Sequence, residues 1–116
     1  MITIDYTNRT PIYEQIVNEI ERFVTLGVYQ PKQKIESVRD LALNLGINPN
    51  TVKKAYDELE RRGVITTLST KGTFITENIK ALTKSKIDER IEAIKAEMIE
   101  LEKLGISKEE IIKRLK

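Results

Sequence analysis

The stretch that decides the fold is Ser37-Val38-Arg39-Asp40-Leu41-Ala42-Leu43-Asn44-Leu45-Gly46-Ile47-Asn48-Pro49-Asn50-Thr51-Val52-Lys53-Lys54-Ala55-Tyr56-Asp57-Glu58-Leu59-Glu60-Arg61-Arg62-Gly63. Ser37 stands where a helix N-cap belongs, with Asp40 three residues on as in a capping box. Val38, Leu41, Ala42 and Leu45 then fall on one helical face. Gly46 stops that helix. Asn48-Pro49 starts another at once, because Asn caps well and Pro suits the first helical position. Val52, Ala55, Tyr56 and Leu59 form its inner stripe, and Gly63 ends it. Two helices joined by a very short turn containing glycine make a helix-turn-helix.

Outward toward the N-terminus, Ile12, Ile16, Val17, Ile20, Phe23 and Val24 repeat at helical spacing, with Thr10 expected as N-cap, Pro11 as the first helical residue and Gly27 as the stop. Residues 1–9 read as extended, and Gln30-Pro31-Lys32 as a short connection. Outward toward the C-terminus, Val64-Ile65-Thr66-Thr67-Leu68 and Thr73-Phe74-Ile75-Thr76 are β-type runs around the turn Ser69-Thr70-Lys71-Gly72. A hairpin directly after the second helix is a wing. Tyr13, Phe23 and Phe74 are expected in the core. So is Tyr56, whose hydroxyl has phosphate contact as its alternative role.

From about Ile79 the pattern changes. Ile87, Ile91, Ile94, Met98 and Leu101 are spaced four, three, four and three apart, a heptad seam among many Glu and Lys. Gly105 interrupts it. Ser107 and Glu110 then form a capping box, and Ile111, Ile112 and Leu115 give a short last helix its apolar side. A single helix cannot bury such a seam alone. Ile87, Ile91, Ile94, Met98, Leu101, Ile111, Ile112 and Leu115 are therefore read as homodimer contacts, the alternative being a tail folded back on its own chain. The expected architecture is mainly α with a small β-hairpin: a winged helix-turn-helix over residues 1–76 and a two-helix dimerisation segment over 77–116.

Composition narrows the function. The 116 residues include no cysteine and no histidine. Disulfides, thiolate zinc sites, and His-based acid–base or nucleophile pairs are thereby excluded. No enzymatic activity and no cofactor are expected. The chain has no apolar run long enough for a transmembrane helix. Its start, Met1-Ile2-Thr3-Ile4-Asp5, lacks the basic end and long apolar core of a signal peptide, so a cytoplasmic location is expected. The net charge of +2, from 20 basic and 18 acidic residues, says little about partners. Local charge says more. Residues 41–56 contain no acid and two lysines, which suits a helix end that approaches DNA.

In that end, Asn48, Pro49, Asn50 and Thr51 occupy the first turn, followed by Lys53 and Lys54. Asn can pair with an adenine edge and Thr can meet a thymine methyl or a phosphate. Lysines suit phosphate or guanine. Arg39, in the preceding helix, can reach a phosphate or the groove, and Lys71 and Gly72 stand at the wing tip. Each has a plainer alternative. Asn48 and Thr51 can serve as caps only, Lys53 and Lys54 as a solvated face, Arg39 as a surface ion-pair partner, and Gly72 as a turn residue.

The segments Pro11-Ile12-Tyr13-Glu14-Gln15-Ile16, Ser37-Val38-Arg39-Asp40-Leu41-Ala42, Gly46-Ile47-Asn48-Pro49-Asn50-Thr51-Val52, Ala55-Tyr56-Asp57-Glu58-Leu59-Glu60-Arg61-Arg62-Gly63 and Lys71-Gly72-Thr73-Phe74-Ile75 resemble the GntR family of bacterial regulators. The short tail resembles its YtrA-like subgroup. The resemblance implies a dimeric repressor that binds a near-palindromic site on double-stranded DNA through Arg39, Asn48, Asn50, Thr51, Lys53 and the wing tip. The competing reading is a winged helix that docks a protein instead. The family usually carries Pro-Gly near Pro31-Lys32, Leu-Pro-Ser at Ile35-Glu36-Ser37, and an arginine-rich wing at Leu68-Ser69-Thr70-Lys71. These departures imply weaker wing contacts. Neither an operator nor an effector is legible.

Overall fold

The computed structural model describes residues 2–116; Met1, the first residue of the segment read as extended, lies outside them. The elements run α1 (Ile12–Thr25), β1 (Lys34–Ile35), α2 (Val38–Leu45), α3 (Pro49–Arg61), β2 (Ile65–Leu68), β3 (Gly72–Ile75), α4 (Ile79–Lys103) and α5 (Lys108–Leu115). They form two compact units, Met1–Lys80 and Ala81–Lys116. The first takes in Ile79, which is buried in its core, so it extends past the 76/77 break read from the sequence.

The core of the first unit is built from the stripes that periodicity marks. Ile16, Val17, Ile20 and Phe23 of α1 meet Leu41 and Ala42 of α2 and Val52, Ala55, Tyr56 and Leu59 of α3. Phe23 stands edge-on to Tyr29, with ring centroids 5.4 Å apart. Burial of these apolar faces is what holds three helices, each too short to be stable alone, in one arrangement.

One expectation is corrected at α1, and another is extended at β1. Thr10 is not the cap of α1: Pro11 is, and it makes no side-chain cap bond. Thr10 instead offers its carbonyl to the Gln15 Nε2, which also donates to the Asp5 carbonyl, while Gln15 Oε1 accepts from the Asp5 N–H at 2.8 Å. One amide side chain thus fastens the N-terminal segment to α1. The hairpin expected as the wing is present as β2 and β3, and it carries an addition. Lys34–Ile35 adds a third strand, giving the antiparallel order β1-β3-β2, with Lys34 opposite Phe74 and Ile35 opposite Thr73. β2 meets β3 with Ile65 opposite Ile75 and Leu68 opposite Gly72. Ile35, Ile65, Thr73 and Ile75 are buried on the inner face. Phe74 falls on the other, because side chains alternate along a strand, and it is half-buried instead of core.

The chain enters β1 through Lys32, whose φ of 66° is left-handed. Its N–H reaches the Ile75 carbonyl at 3.0 Å, so the turn is stitched to β3. A side chain at such a φ crowds the following carbonyl, a penalty that glycine escapes.

The second unit comprises most of α4, a helix of 25 residues, and α5. Gly105, at φ 96°, separates them, and Ser107 caps α5 by accepting from the Glu110 N–H at 3.2 Å. Among the expected dimer contacts, Ile87, Ile91, Ile94, Leu101, Ile112 and Leu115 are exposed in the single chain, and Met98 is half-buried. Ile111 differs: it is buried, so its apolar surface is already covered without a partner.

Candidate nucleic-acid interface

α2 and α3 are set by their caps. Ser37 Oγ accepts from the Asp40 N–H at 3.1 Å, and Asn48 Oδ1 accepts from the Asn50 N–H at 2.8 Å. Between them Gly46, at φ 68°, turns the chain so that the Ile47 N–H closes on the Ala42 carbonyl at 3.1 Å. Only glycine takes that φ without penalty, which is why a turn this tight can join the two helices. The Tyr56 hydroxyl is spent inside: it donates to the Glu36 carbonyl at 2.6 Å. Burial, with Tyr29 and Glu36 nearby, raises its pKa well above the ordinary value, so it stays protonated. A phosphate contact from that hydroxyl is ruled out by this commitment.

The first turn of α3 carries no acid. Asn48, Pro49 and Asn50 are exposed there and Thr51 is half-buried. The two asparagines are not equivalent. Asn48 uses its side-chain oxygen as the cap, whereas the Asn50 side chain makes no hydrogen bond among the described residues. A bidentate contact to adenine needs both the oxygen and the NH2 of the amide, so Asn50 is the better placed of the two.

The cations also separate. Lys53 pairs with Asp57 at 3.0 Å, an exposed i,i+4 bridge of the kind that contributes little and opens easily. Lys54 lies over the Tyr13 ring, 4.1 Å from its centroid, and so is held against α1. Tyr13 is half-buried: it packs against the edge of the core and also walls the α1–α3 groove, shared with Lys54, Glu58 and Arg62. Glu58 is ringed by Arg61 and Arg62; the hydrogen bond from Arg61 chiefly lowers its pKa to about 2. Arg62 also reaches Glu21 of α1 at 2.9 Å. By contrast Arg39, Lys34 and Lys71 are exposed and have no carboxylate partner among the described residues. Glu36, the anion beside the start of α2, accepts from Asn44 Nδ2.

At the wing, the turn closes with the Lys71 N–H on the Leu68 carbonyl at 2.7 Å, and Ser69 takes a positive φ of 33°. Gly72 has φ 118°, and a β-carbon there would stand 2.8 Å from Lys34 Cε. The Lys34 stem therefore passes across the bare face of Gly72. Sequence reasoning missed Lys34, because a two-residue strand has no period to read. Among the described residues no group of carboxylates is arranged to hold a metal, and no helix is long and apolar enough to cross a membrane.

Comparison with known proteins agrees with this arrangement. Residues 12–75 match the model of the bacterial regulatory proteins of the gntR family. The chain is 43% identical to the HTH-type transcriptional repressor YtrA of Bacillus subtilis over 112 residues, covering 96% of this chain and 86% of that one. A crystal structure of a transcriptional regulator from Oenococcus oeni superposes with a TM-score of 0.71 at 37% identity, covering 99% of this chain and 96% of that one. The DNA-binding domain of AraR, in a crystal structure with operator ORE1, gives a TM-score of 0.56 at 26% identity, covering 66% of this chain and 93% of that one. With its winged helix-turn-helix and these relatives, the chain belongs to the gntR family and is a DNA-binding transcription regulator.

Proposed function

We propose that the protein is a cytoplasmic, non-enzymatic, dimeric repressor that reads a near-palindromic operator with the first turn of α3. The observation that carries this reading is the acid-free turn Asn48–Thr51, exposed at Asn48, Pro49 and Asn50, with the Asn50 amide unengaged. Asn50 reads a base edge. Asn48 and Thr51 sit where the helix N-terminus offers free N–H groups and a positive dipole to phosphate. Arg39 and Lys71 meet the backbone on either side, and Lys53 joins them by exchanging Asp57 for a phosphate. Lys54 has the smaller share, since it must first leave Tyr13.

The dimer rests on exposed apolar residues of α4 and α5. Ile87, Ile91, Ile94, Leu101, Ile112 and Leu115 are all exposed in the single chain, and apolar side chains grouped on two helices in this way suit burial against a second copy. Two copies would set their reading helices about 34–36 Å apart, or a multiple of that, on the duplex. The names of YtrA, a repressor, and of the operator-bound AraR domain support the same role.

Selection of duplexes from a random pool, followed by footprinting on the winning sequence, tests the reading. A protected two-fold site is expected, with affinity that falls steeply as salt rises. Asn50→Ala should relax base preference at one position per half-site, by about 1–3 kcal/mol. Failure to enrich any duplex at low salt would favour a winged helix that docks a protein.

A further inference from the structure

We infer that Lys34, on the edge strand β1, is a DNA-phosphate contact of the wing and shares that task with Lys71. The inference rests on the DNA reading above and adds a residue to it.

Three observations converge on Lys34. Register places it opposite Phe74, on the outer face that also holds Gly72. Its stem runs over Gly72, close enough that a β-carbon there would meet Lys34 Cε at 2.8 Å and Lys34 Nζ at 3.5 Å. Its ammonium is therefore carried toward the turn that bears Lys71. Finally, it has no carboxylate partner among the described residues, whereas its neighbour Lys32 is held by Glu77 at 3.2 Å. An ammonium without a partner gains more from a phosphate than one that must first break an ion pair.

The turn itself, Leu68-Ser69-Thr70-Lys71, contributes a single cation. Lys34 doubles the positive charge of the wing without lengthening the hairpin. Gly72 has a second reason to lack a side chain: besides its φ of 118°, it leaves the path open for this lysine.

The test measures binding of the full-length chain to a duplex it selects from a random pool, across salt from about 50 to 200 mM. Lys34→Gln keeps part of the stem and removes the charge. It should reduce the slope of log affinity against log salt by about one per bound chain, so the deficit against wild type shrinks about 3–4-fold over that range. Lys34→Arg should keep the wild-type slope. Lys103→Ala, which removes an exposed lysine of α4 paired with Glu100 at 3.1 Å, serves as the equal-charge control and should leave the slope unchanged. Base preference should be the same in all four proteins. An unchanged slope in Lys34→Gln, or an equal loss in Lys103→Ala, overturns the assignment while the DNA reading stands. If wild type enriches no duplex, the DNA reading falls and this contact with it.

Discussion

The Tyr56 hydroxyl of α3 donates to the backbone carbonyl of Glu36, one residue before the cap of α2, at 2.6 Å. The bond spans the two helices of the reading motif and fixes one against the start of the other. Tyr56→Phe keeps the ring packed but leaves a carbonyl short of its partner. A loss of about 1–2 kcal/mol in urea unfolding is expected. A variant as stable as wild type would mean that water replaces the hydroxyl at no cost.

Lys32 is strained and glycine would not be. At φ 66° the lysine carries a penalty that Lys32→Gly removes, at the expense of the exposed Lys32–Glu77 pair and some unfolded-state entropy. A net gain of about 0.5–1 kcal/mol is expected as a higher melting temperature. Lys32→Ala, which loses the ion pair and keeps the strain, should not gain.

Asn48 and Asn50 should part company when stability and binding are both measured. Asn48→Ala removes the cap of α3 and should cost about 1 kcal/mol in stability, while Asn48→Ser should restore most of it. Asn50→Ala should leave the melting temperature within experimental scatter and change DNA preference alone.

Acid should loosen the α1–α3 side of the unit. The folded pKa of Glu58, about 2, lies below its ordinary 4.5, chiefly because of the hydrogen bond from Arg61. A depressed carboxylate contributes stability that is fully present above the unfolded pKa and is lost as pH falls toward the folded one. The contribution of Glu58 should therefore fade between about pH 5 and pH 2. Glu58→Gln should flatten that part of a stability-against-pH curve and leave the neutral-to-alkaline part in place.

In the tail, burial divides residues that share one sequence pattern. Ile94 is 53% exposed in the single chain and Ile111 is 4% exposed. Ile94→Glu should shift sedimentation toward monomer without unfolding α4. Ile111→Ala should instead destabilise the tail by about 2–5 kcal/mol, the usual cost of truncating a buried isoleucine. Dimeric Ile94→Glu protein would remove the seam from the interface.

How much of this was legible follows from what each element depends on. α2, α3 and the turn between them were readable because their signals are local: Ser37, Gly46 and Asn48 act on backbone groups within a few residues of themselves. α1 was readable in its stripe but not at its start, where Gln15 binds the Thr10 carbonyl and Pro11 takes the cap. β1 was not readable, because two residues show no alternation and become a strand only by pairing with β3, some forty residues on. Phe74 went to the wrong face for the same reason. With an aromatic beside Thr73 and Ile75, residue type pointed one way, and the register that decides the face is set by β1 and β2. In the site, the acid-free turn was visible in the sequence. The pairing of Lys53 with Asp57, the stacking of Lys54 on Tyr13 and the reach of Lys34 over Gly72 depend on packing.

In the proposed reading, capping and recognition meet at one end of α3, and this constrains how such a protein can acquire a new target sequence. Asn48 starts the helix, so a change there carries a folding cost whatever it does to DNA. The Asn50 side chain makes no hydrogen bond among the described residues, so any residue that keeps the N–H bonded to Asn48 Oδ1 can stand there at little folding cost. Drift in operator preference would therefore proceed through position 50 first, with Asn48 retained as the hinge on which successive specificities are tried.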